Sequence, residues 1–234
     1  MKGPLASFGA LFLGAFFSAT NAYAQYRNFI TGDAGPYWRA DIGATIPLDG
    51  HITQFGPFSS GQNVEYDVGI GVDAAFGYFF NKYVGAELEL GSTWTYLSSV
   101  EGASVHDTSF GTVPILANVL LQYPIPQTRV VPYIGGGVGG AATFFDTHGF
   151  HRPVPGGTIS LYGSDSDFVF AWQGLAGVRF ELNSKMYVGL GYRFLHVDSS
   201  NYNFDSWYHG GPALDIGFSS HESHMIALTF LMKW

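Results

Sequence analysis

The residues with the clearest potential for chemistry lie together near the end of the chain: His196, Asp198, Ser199, Ser200 and Asn201. A histidine that acts as a general base beside a serine hydroxyl can support hydrolysis. Here the two serines follow His196 only after intervening residues, and the sequence identifies no acidic partner that would orient the imidazole. We therefore keep His196, Ser199 and Ser200 as candidates for a secondary hypothesis of catalysis and predict that the protein is not an enzyme.

Two histidine pairs, His148 with His151 and His221 with His224, have the spacing of candidate metal ligands. A zinc site needs three or four protein ligands, and neither pair has a convincing third. The acidic residues of the chain also lack the spacing of a calcium-binding EF-hand loop. We predict no metal site and interpret these histidines as ordinary loop or rim residues.

Gly135, Gly137 and Gly140 formally match the glycine motif of dinucleotide-binding proteins. That motif holds a pyrophosphate only where a helix begins directly after it. In this sequence the alternation of a strand continues instead, and glycine in a strand permits the bending that a narrow barrel requires. We therefore predict no cofactor.

The elements around these residues are strands, because eight segments alternate with a period of two and are long enough for tilted membrane strands of ~9–11 residues. Their connections alternate between long and short, which is typical of outer-membrane barrels with long extracellular loops, short periplasmic turns and both termini in the periplasm. The sequence thus predicts an all-β, eight-stranded antiparallel transmembrane β-barrel. The predicted strands are residues 36–46, 66–80, 82–97, 107–123, 129–146, 165–182, 185–198 and 221–234.

One face of each predicted strand is apolar, and the other carries charges and glycines. Such alternation does not say which face is inside, since a soluble barrel would fill its interior with the apolar face. A membrane barrel would instead turn that face to lipid and bury the charges in its lumen. The predicted lumen charges are Arg39, Asp41, Asp67, Asp73, Glu87, Glu89, Arg179, Glu181, Arg193 and Lys233.

These charges have two interpretations. An eight-stranded barrel is just wide enough for side chains to fill it, so the charges would form an ion-pair network that plugs the lumen. Alternatively, the excess of acids over bases would line a narrow, cation-preferring pathway. We expect the plugged lumen.

The predicted long loops form an acidic outer face, with Arg152 as their one base. This face would keep the loops soluble, or it would bind a cation or an extracellular ligand. The loop acids are Asp49, Glu65, Glu101, Asp107, Asp146, Asp165, Asp198, Asp205 and Asp215.

Composition supports the membrane interpretation. Only 12% of the 234 residues are charged and 17% are aromatic, with 32 glycines and no cysteine, whereas soluble domains carry about 25% charged residues. The net charge of −8, with ten Lys and Arg residues, argues against a nucleic-acid partner.

The first 24 residues have the order of a secretory signal peptide: Lys2, then the apolar stretch 5–17, then Ala22-Tyr23-Ala24. We therefore expect a signal peptide at 1–24 and one barrel domain at 25–234.

Three segments, at 132–139, 171–180 and 189–194, resemble strands of the OmpA-like outer membrane β-barrel superfamily, the group of outer-membrane-protein β-barrel domains and porin-family proteins. The resemblance implies a location in the outer membrane of a Gram-negative cell and outer membrane lipids as partners. It also implies that Trp234 is a terminal assembly signal for the barrel-assembly machinery, although phenylalanine is more usual there. The His196 region loosely resembles lipid A deacylase barrels, whose signature sets serine two residues after histidine, where this chain has Asp198.

The function that we expect is structural, in envelope integrity or surface interaction through the acidic loops. A small porin-like, cation-preferring channel is the alternative. A lipid A-modifying hydrolase is the third hypothesis.

Overall fold

A computed structural model of the chain describes residues 34–58, 60–154, 156–204 and 214–234. This part of the chain folds into antiparallel strands without a helix. None of the described residues forms a helix long and apolar enough to cross a membrane. The predicted signal peptide lies outside the described residues. The strands are β1 (Gly35–Pro47), β2 (Gly50–Phe55), β3 (Asn63–Tyr66), β4 (Gly69–Phe79), β5 (Val84–Val100), β6 (Ser104–Gln122), β7 (Val130–Val154), β8 (Gly157–Glu181), β9 (Met186–Val197), β10 (Ser200–Phe204), β11 (Leu214–Phe218) and β12 (His221–Lys233).

Eight of these strands close into a barrel, in the order β1, β4, β5, β6, β7, β8, β9 and β12, with β12 pairing back to β1. At one level of the wall, Asp41 of β1 lies opposite Asp73 of β4 on one side and Thr229 of β12 on the other. The eight predicted segments correspond to these eight strands. The prediction of an eight-stranded antiparallel barrel is confirmed.

The alternation of the strands sorts side chains between the two faces of the wall. Leu88 and Phe168 point outward and are 62% and 65% exposed, whereas Arg39 and Glu89 point inward and are 2% and 1% exposed. The outward apolar residues form a continuous band, called here the apolar belt. A belt of this kind fits the hydrocarbon of a membrane, and the polar interior is its counterpart in transmembrane barrels.

Two of the four connections predicted as long loops are instead continuations of the strands. β5 and β6 continue to a turn at Glu101–Ala103, with the end of β5 pairing to β3 and the start of β6 pairing to β7. β7 and β8 pair with each other as far as Val154 and Gly157, beside a turn at Gly156. Gly102 and Gly156 have φ angles of +72° and +97° in these turns, which favour glycine. The prediction ended the strands too early because it counted only the length needed to cross the membrane, whereas hairpins keep pairing in water.

The other two long connections supply β2, β3, β10 and β11. β3 pairs with the end of β5, β2 pairs with β3 and β11, and β11 pairs with β10. Together with residues 97–110 of β5–β6, 145–154 of β7 and 157–167 of β8, these strands form a second wall beyond the apolar belt. We call this part the extracellular extension.

Candidate functional site

Two arginines and four carboxylates fill the middle of the barrel. Arg39 Nη2 lies 2.6 Å from Glu87 Oε1 and 2.7 Å from Glu89 Oε2. Arg193 Nη1 lies 2.8 Å from Glu89 Oε1, and its Nη2 lies 2.8 Å from Asp73 Oδ2. The fourth carboxylate, Asp41, contacts both guanidinium groups. We call these six residues the lumen network.

Neutral donors extend the network at Glu87 and Glu89. Asn118 Nδ2 donates to Glu87 Oε1 at 3.0 Å and to Glu89 Oε2 at 2.8 Å. Gln173 Nε2 donates to the same Glu89 oxygen at 3.0 Å, and the Tyr37 hydroxyl donates to Glu87 Oε2 at 2.8 Å. Such donors are needed because two guanidinium groups do not satisfy four buried carboxylates. None of these three residues was predicted to belong to the network, although all three have the inward parity, because the predicted lumen set contained charged residues only.

A glycine of the dinucleotide-like motif makes room for this arrangement. A Cβ atom on Gly137 would lie 1.7 Å from Asn118 Oδ1 and 2.8 Å from the Ala117 carbonyl oxygen. Any side chain there would displace Asn118 from the two glutamates. The motif lies in the middle of β7, so its glycines serve the packing of the wall and lumen.

Three of the predicted lumen charges lie below the network, at the periplasmic end. Arg179 stacks on Tyr133, with its guanidinium 3.9 Å from the ring centroid, and Lys233 Nζ lies 4.7 Å from the ring centroid of Phe79. Glu181 is half-buried at the end of β8. These side chains belong to an aromatic lower layer of the lumen.

The structure places Asp67 outside the lumen. It lies in the short link between β3 and β4, and it is exposed. Its backbone N–H donates to the carbonyl of Tyr96. Asp67 has the inward parity of β4, but the strand begins only at Gly69, so this parity does not direct the Asp67 side chain.

An apolar cluster fills the interior of the extracellular extension. The Phe145 ring lies 5.1 Å from the Phe218 ring and 5.7 Å from those of Tyr202 and Phe204, measured between centroids. All four residues are buried. This aromatic core comprises Ile52, Phe55, Val64, Leu97, Val100, Phe110, Phe145, Phe150, Ile159, Leu161, Tyr202, Phe204, Leu214, Ile216 and Phe218.

Little space remains beside the network. A cavity of about 10 Å³ lies between Arg39, Asp41, Tyr133 and Arg193. That volume suits a single water molecule. Residues of the lumen network line this cavity, and the aromatic core lies on the extracellular side of the network.

Comparison with known proteins identifies the family of this barrel. The model of the outer membrane protein beta-barrel domain matches residues 8–210. The chain belongs to this family. Its location is the outer membrane, as predicted. Among solved structures, Neisserial surface protein A (NspA) is 15% identical with a TM-score of 0.54, over 86% of this chain and 99% of that one. OprG from Pseudomonas aeruginosa is 13% identical with a TM-score of 0.56, over 86% and 98%. These similarities show that the chain shares the fold of the two proteins.

Curated relatives come from Brucella. Uncharacterized proteins of Brucella abortus (strain 2308) and Brucella suis biovar 1 (strain 1330) are each 29% identical over 171 residues, which cover 63% of this chain and 57% of the relative. The chain thus matches little more than half the length of these relatives.

Trp234, the predicted assembly signal of this outer membrane protein, ends the last strand pair. Its backbone N–H lies 3.4 Å from the carbonyl oxygen of Pro36. A position at the end of β12 suits a terminal signal, and its role in assembly stays a prediction.

His196 lies on the outside of the barrel wall, at the extracellular edge of the belt. Its Nδ1 is 3.1 Å from Glu222 Oε1, its Nε2 is 3.3 Å from Asp198 Oδ1, and the Trp172 ring stacks on it. In the described chain no hydrogen bond joins it to Ser199, which is exposed, or to Ser200, which is buried. Both imidazole nitrogens thus face carboxylates, and the arrangement lacks the base-to-hydroxyl contact that hydrolysis needs.

The histidine pairs do not converge on shared sites. His221 points inward and packs between Tyr66 and Phe110, with centroid distances of 5.1 and 4.9 Å. His224 points outward, where its Nδ1 lies 2.7 Å from the Tyr192 hydroxyl.

His148 is exposed, whereas His151 Nδ1 lies 2.7 Å from the Ser160 hydroxyl. Within the described ranges, no group of three or more histidine and carboxylate side chains has the geometry of a metal site.

Two loop acids close the wall of the extension. No strand pairing joins β10 to β8 in the described part of the chain. Instead, Asp167 Oδ2 accepts the backbone N–H of Asn201 at 2.9 Å, and Asp165 Oδ2 accepts that of Asn203 at 2.6 Å. We call this junction the carboxylate seam. Asp165 was predicted to be a loop acid of the outer face, and no role was predicted for Asp167.

The other described loop acids lie on the surface of the extension. Asp49, Glu65, Glu101, Asp107, Asp198 and Asp215 are exposed, and Asp146 is half-buried. Asp205 lies outside the described residues. Arg152 is the one Lys or Arg residue among the described residues of the extension, and its guanidinium lies 4.4 Å from the ring centroid of Phe55.

Proposed function

We propose that the protein is a non-conducting outer-membrane barrel that acts through its folded extracellular extension, in surface interaction or envelope integrity. The observation that carries this proposal is the closure of the interior at two levels. The lumen network closes it within the membrane, and the aromatic core closes it beyond the membrane. Either closure alone would block a narrow path.

The lumen network opposes ion passage in particular. Each carboxylate of the network contacts a guanidinium group, and the side chains of Asp73, Glu87 and Glu89 are inaccessible to solvent. A cation that entered would have to replace these contacts, and breaking a buried ion pair is costly. Glu87 and Glu89 also accept hydrogen bonds from amide and hydroxyl donors, which reduces the attraction of these two carboxylates for a passing cation.

The extension supports a role at the surface. Its aromatic core and paired strands give it the interior of a folded domain, so the acidic side chains on its outer face are held on a defined scaffold. A rigid scaffold with charged loops and turns is the usual arrangement of a recognition surface. The complementary ligand would be a cationic group on an extracellular partner.

Single-channel recording in planar bilayers tests the proposal, with the mature chain refolded from residue 25. We expect no conductance steps from barrels whose folding is verified by a shift in electrophoretic mobility on heating. The matched variants are Glu87→Gln with Glu89→Gln, which remove charge at nearly constant volume. Reproducible wild-type steps whose cation preference disappears in these variants would overturn the proposal and support the porin-like channel.

The hydrolase hypothesis gains no support from the surroundings of His196 described above. Lipid A from cells that express wild type or His196→Ala would have the same masses if the protein performs no such chemistry. A mass change that depends on His196 would replace the proposal with an enzymatic one.

A further inference from the structure

Basic side chains mark the periplasmic end of the barrel, one in each of its three turns. Lys82 lies in the turn between β4 and β5, Arg129 directly before β7, and Lys185 directly before β9. Elsewhere in the described chain, bases occur only inside the lumen or, as Arg152, in the extension. The three turns therefore carry the basic charge of the outer surface at this end.

Each turn is held by side-chain hydrogen bonds. Asn81 Oδ1 accepts the backbone N–H of Tyr83 at 2.8 Å, and Asn183 Oδ1 accepts that of Lys185 at 2.9 Å. In the third turn, the Thr128 hydroxyl donates to the carbonyl of Ile125 at 2.9 Å. Asparagine and threonine side chains of this kind stabilise tight turns. The basic residues are thus presented from ordered backbone.

Exposed aromatic and apolar side chains lie near Lys82 and Lys185, at the lower edge of the apolar belt. Tyr83 and Tyr123 stack with a centroid distance of 6.2 Å, and Lys82 Nζ lies 4.9 Å from the Tyr83 centroid. Leu182, which precedes the turn of Lys185, is 51% exposed. Tyrosine is enriched where a membrane meets water, because its ring is apolar and its hydroxyl is polar. These neighbours place Lys82 and Lys185 at the depth of lipid headgroups.

The local charge is one-sided. Among the described residues, the one acid at this end is Glu181, which has the inward parity of β8 and is half-buried. The acids of the outer surface lie at the extracellular end, on the extension. The outer surface of the barrel is therefore basic where it meets the periplasmic leaflet.

We propose that the periplasmic rim, formed by Lys82, Arg129 and Lys185 with Tyr83 and Tyr123, binds the phosphate groups of anionic phospholipids in the periplasmic leaflet. Ammonium and guanidinium groups form charge-assisted hydrogen bonds with phosphate oxygens, and the exposed rings pack beside the acyl chains. The inference rests on the barrel and its belt, and it is independent of the proposed function.

Lipid exchange into the barrel's boundary layer tests the proposal. The full mature chain is placed in nanodiscs of phosphatidylcholine, and labelled phosphatidylglycerol or labelled phosphatidylcholine is titrated against energy transfer from the protein's tryptophans. We expect wild type to prefer phosphatidylglycerol by roughly fivefold or more, since one base near a charged membrane surface is worth about that factor. Lys82→Gln, Arg129→Gln and Lys185→Gln together should abolish the preference, and Lys82→Arg with Lys185→Arg should retain it.

A charge-matched control tests whether the lipid preference depends on the periplasmic rim or only on the net charge of the protein. Gln54→Glu, Ser98→Glu and Ser164→Glu change the net charge by the same amount on exposed positions of the extension and should leave the preference intact. Equal binding of both lipids by wild type, or an equal loss in this control, overturns the proposal. Displacement by millimolar inorganic phosphate, without a lipid requirement, would assign the turns to free anions and also overturn it.

Discussion

The interior of this barrel has opposite chemistry at its two levels, although the inward faces of β5 and β8 contribute side chains to both. On β5, Glu89 belongs to the lumen network and Leu97 to the aromatic core. On β8, Gln173 donates to the network and Leu161 packs in the core. The outer face changes from apolar to polar between the two levels. On β5, the exposed residue is Leu88 within the belt and Ser98 in the extension.

The medium outside the wall accounts for this reversal. Where hydrocarbon surrounds the barrel, an apolar side chain gains nothing by pointing inward, so large apolar residues face the lipid and polar residues pair inside. Where water surrounds the extension, the hydrophobic effect drives rings into the interior. The lumen network should therefore stabilise the barrel through paired charges, and the aromatic core should stabilise the extension through packing.

The largest effect that we expect comes from removing one guanidinium group of the network. Arg39→Met would leave Arg193 alone among four buried carboxylates, and an uncompensated buried charge costs about 3–5 kcal/mol. The free energy of unfolding of the whole barrel should fall by that amount. Urea titration of the protein folded in lipid vesicles, followed by tryptophan fluorescence, measures it.

The control for Arg39→Met is a variant that also lacks the charges of two of the network's carboxylates. Adding Glu87→Gln and Asp73→Asn to Arg39→Met should restore part of the stability, because fewer carboxylates then lack a partner. A loss below about 1 kcal/mol for Arg39→Met alone, which is the range of surface ion pairs, would show that the network is not the stabilising core of the barrel.

The second prediction separates the two levels. Phe145→Ala removes a fully buried ring from the aromatic core, and such substitutions cost about 3–5 kcal/mol. We expect the loss to appear as opening of the extension, with the barrel intact below it. Protease added to folded protein in vesicles should cleave the extension of the variant, while the membrane-embedded fragment stays protected.

The neighbouring position supplies the matched control. Phe144 points outward and is 41% exposed, so Phe144→Ala should change protease cleavage little. If Phe145→Ala instead lowers the urea midpoint of the whole barrel without selective cleavage, then the two levels unfold as one cooperative unit and the comparison between them fails.

The sequence was sufficient for the barrel because period-two alternation is strict where one face meets lipid. For the lumen network it supplied the charges Arg39, Glu87 and Glu89, since parity assigns a face to every residue of a continuous strand. Asp67 shows the limit of that argument. Its parity is that of β4, but it lies in the link before the strand, where alternation has no structural meaning.

The extension was not predicted, for a physical reason. Its core gathers residues from connections that are distant in sequence, and Tyr202 and Phe204 alternate over a stretch too short for a membrane strand. The carboxylate seam also could not be predicted from the sequence pattern, because Asp165 accepts a hydrogen bond from a backbone N–H of a strand that is distant in sequence. Pairing between loops is a tertiary property that alternation within one segment does not encode.

The smallest effect that we predict concerns the carboxylate seam, where side chains replace a strand ladder. Asp165→Ala and Asp167→Ala each remove the charge-assisted hydrogen bond that crosses the seam, and each should cost the extension about 1.5–3 kcal/mol. Hydrogen exchange resolves the effect locally, since the amides of Asn203 and Asn201 should lose protection, one with each variant. The amides of the lumen-network strands should keep theirs.

Ser164→Ala and Ser166→Ala, at exposed positions that alternate with the two aspartates, should leave exchange at β10 unchanged. Unaltered protection of Asn201 and Asn203 in the double variant Asp165→Ala with Asp167→Ala would mean that the aromatic core alone holds β10 against β8. Selective loss of protection would instead show that polar contacts close the extension at this one junction. Packing would then hold the rest of the extension. The extension and the lumen network would both depend on polar contacts, and they would differ only in how much they depend on them.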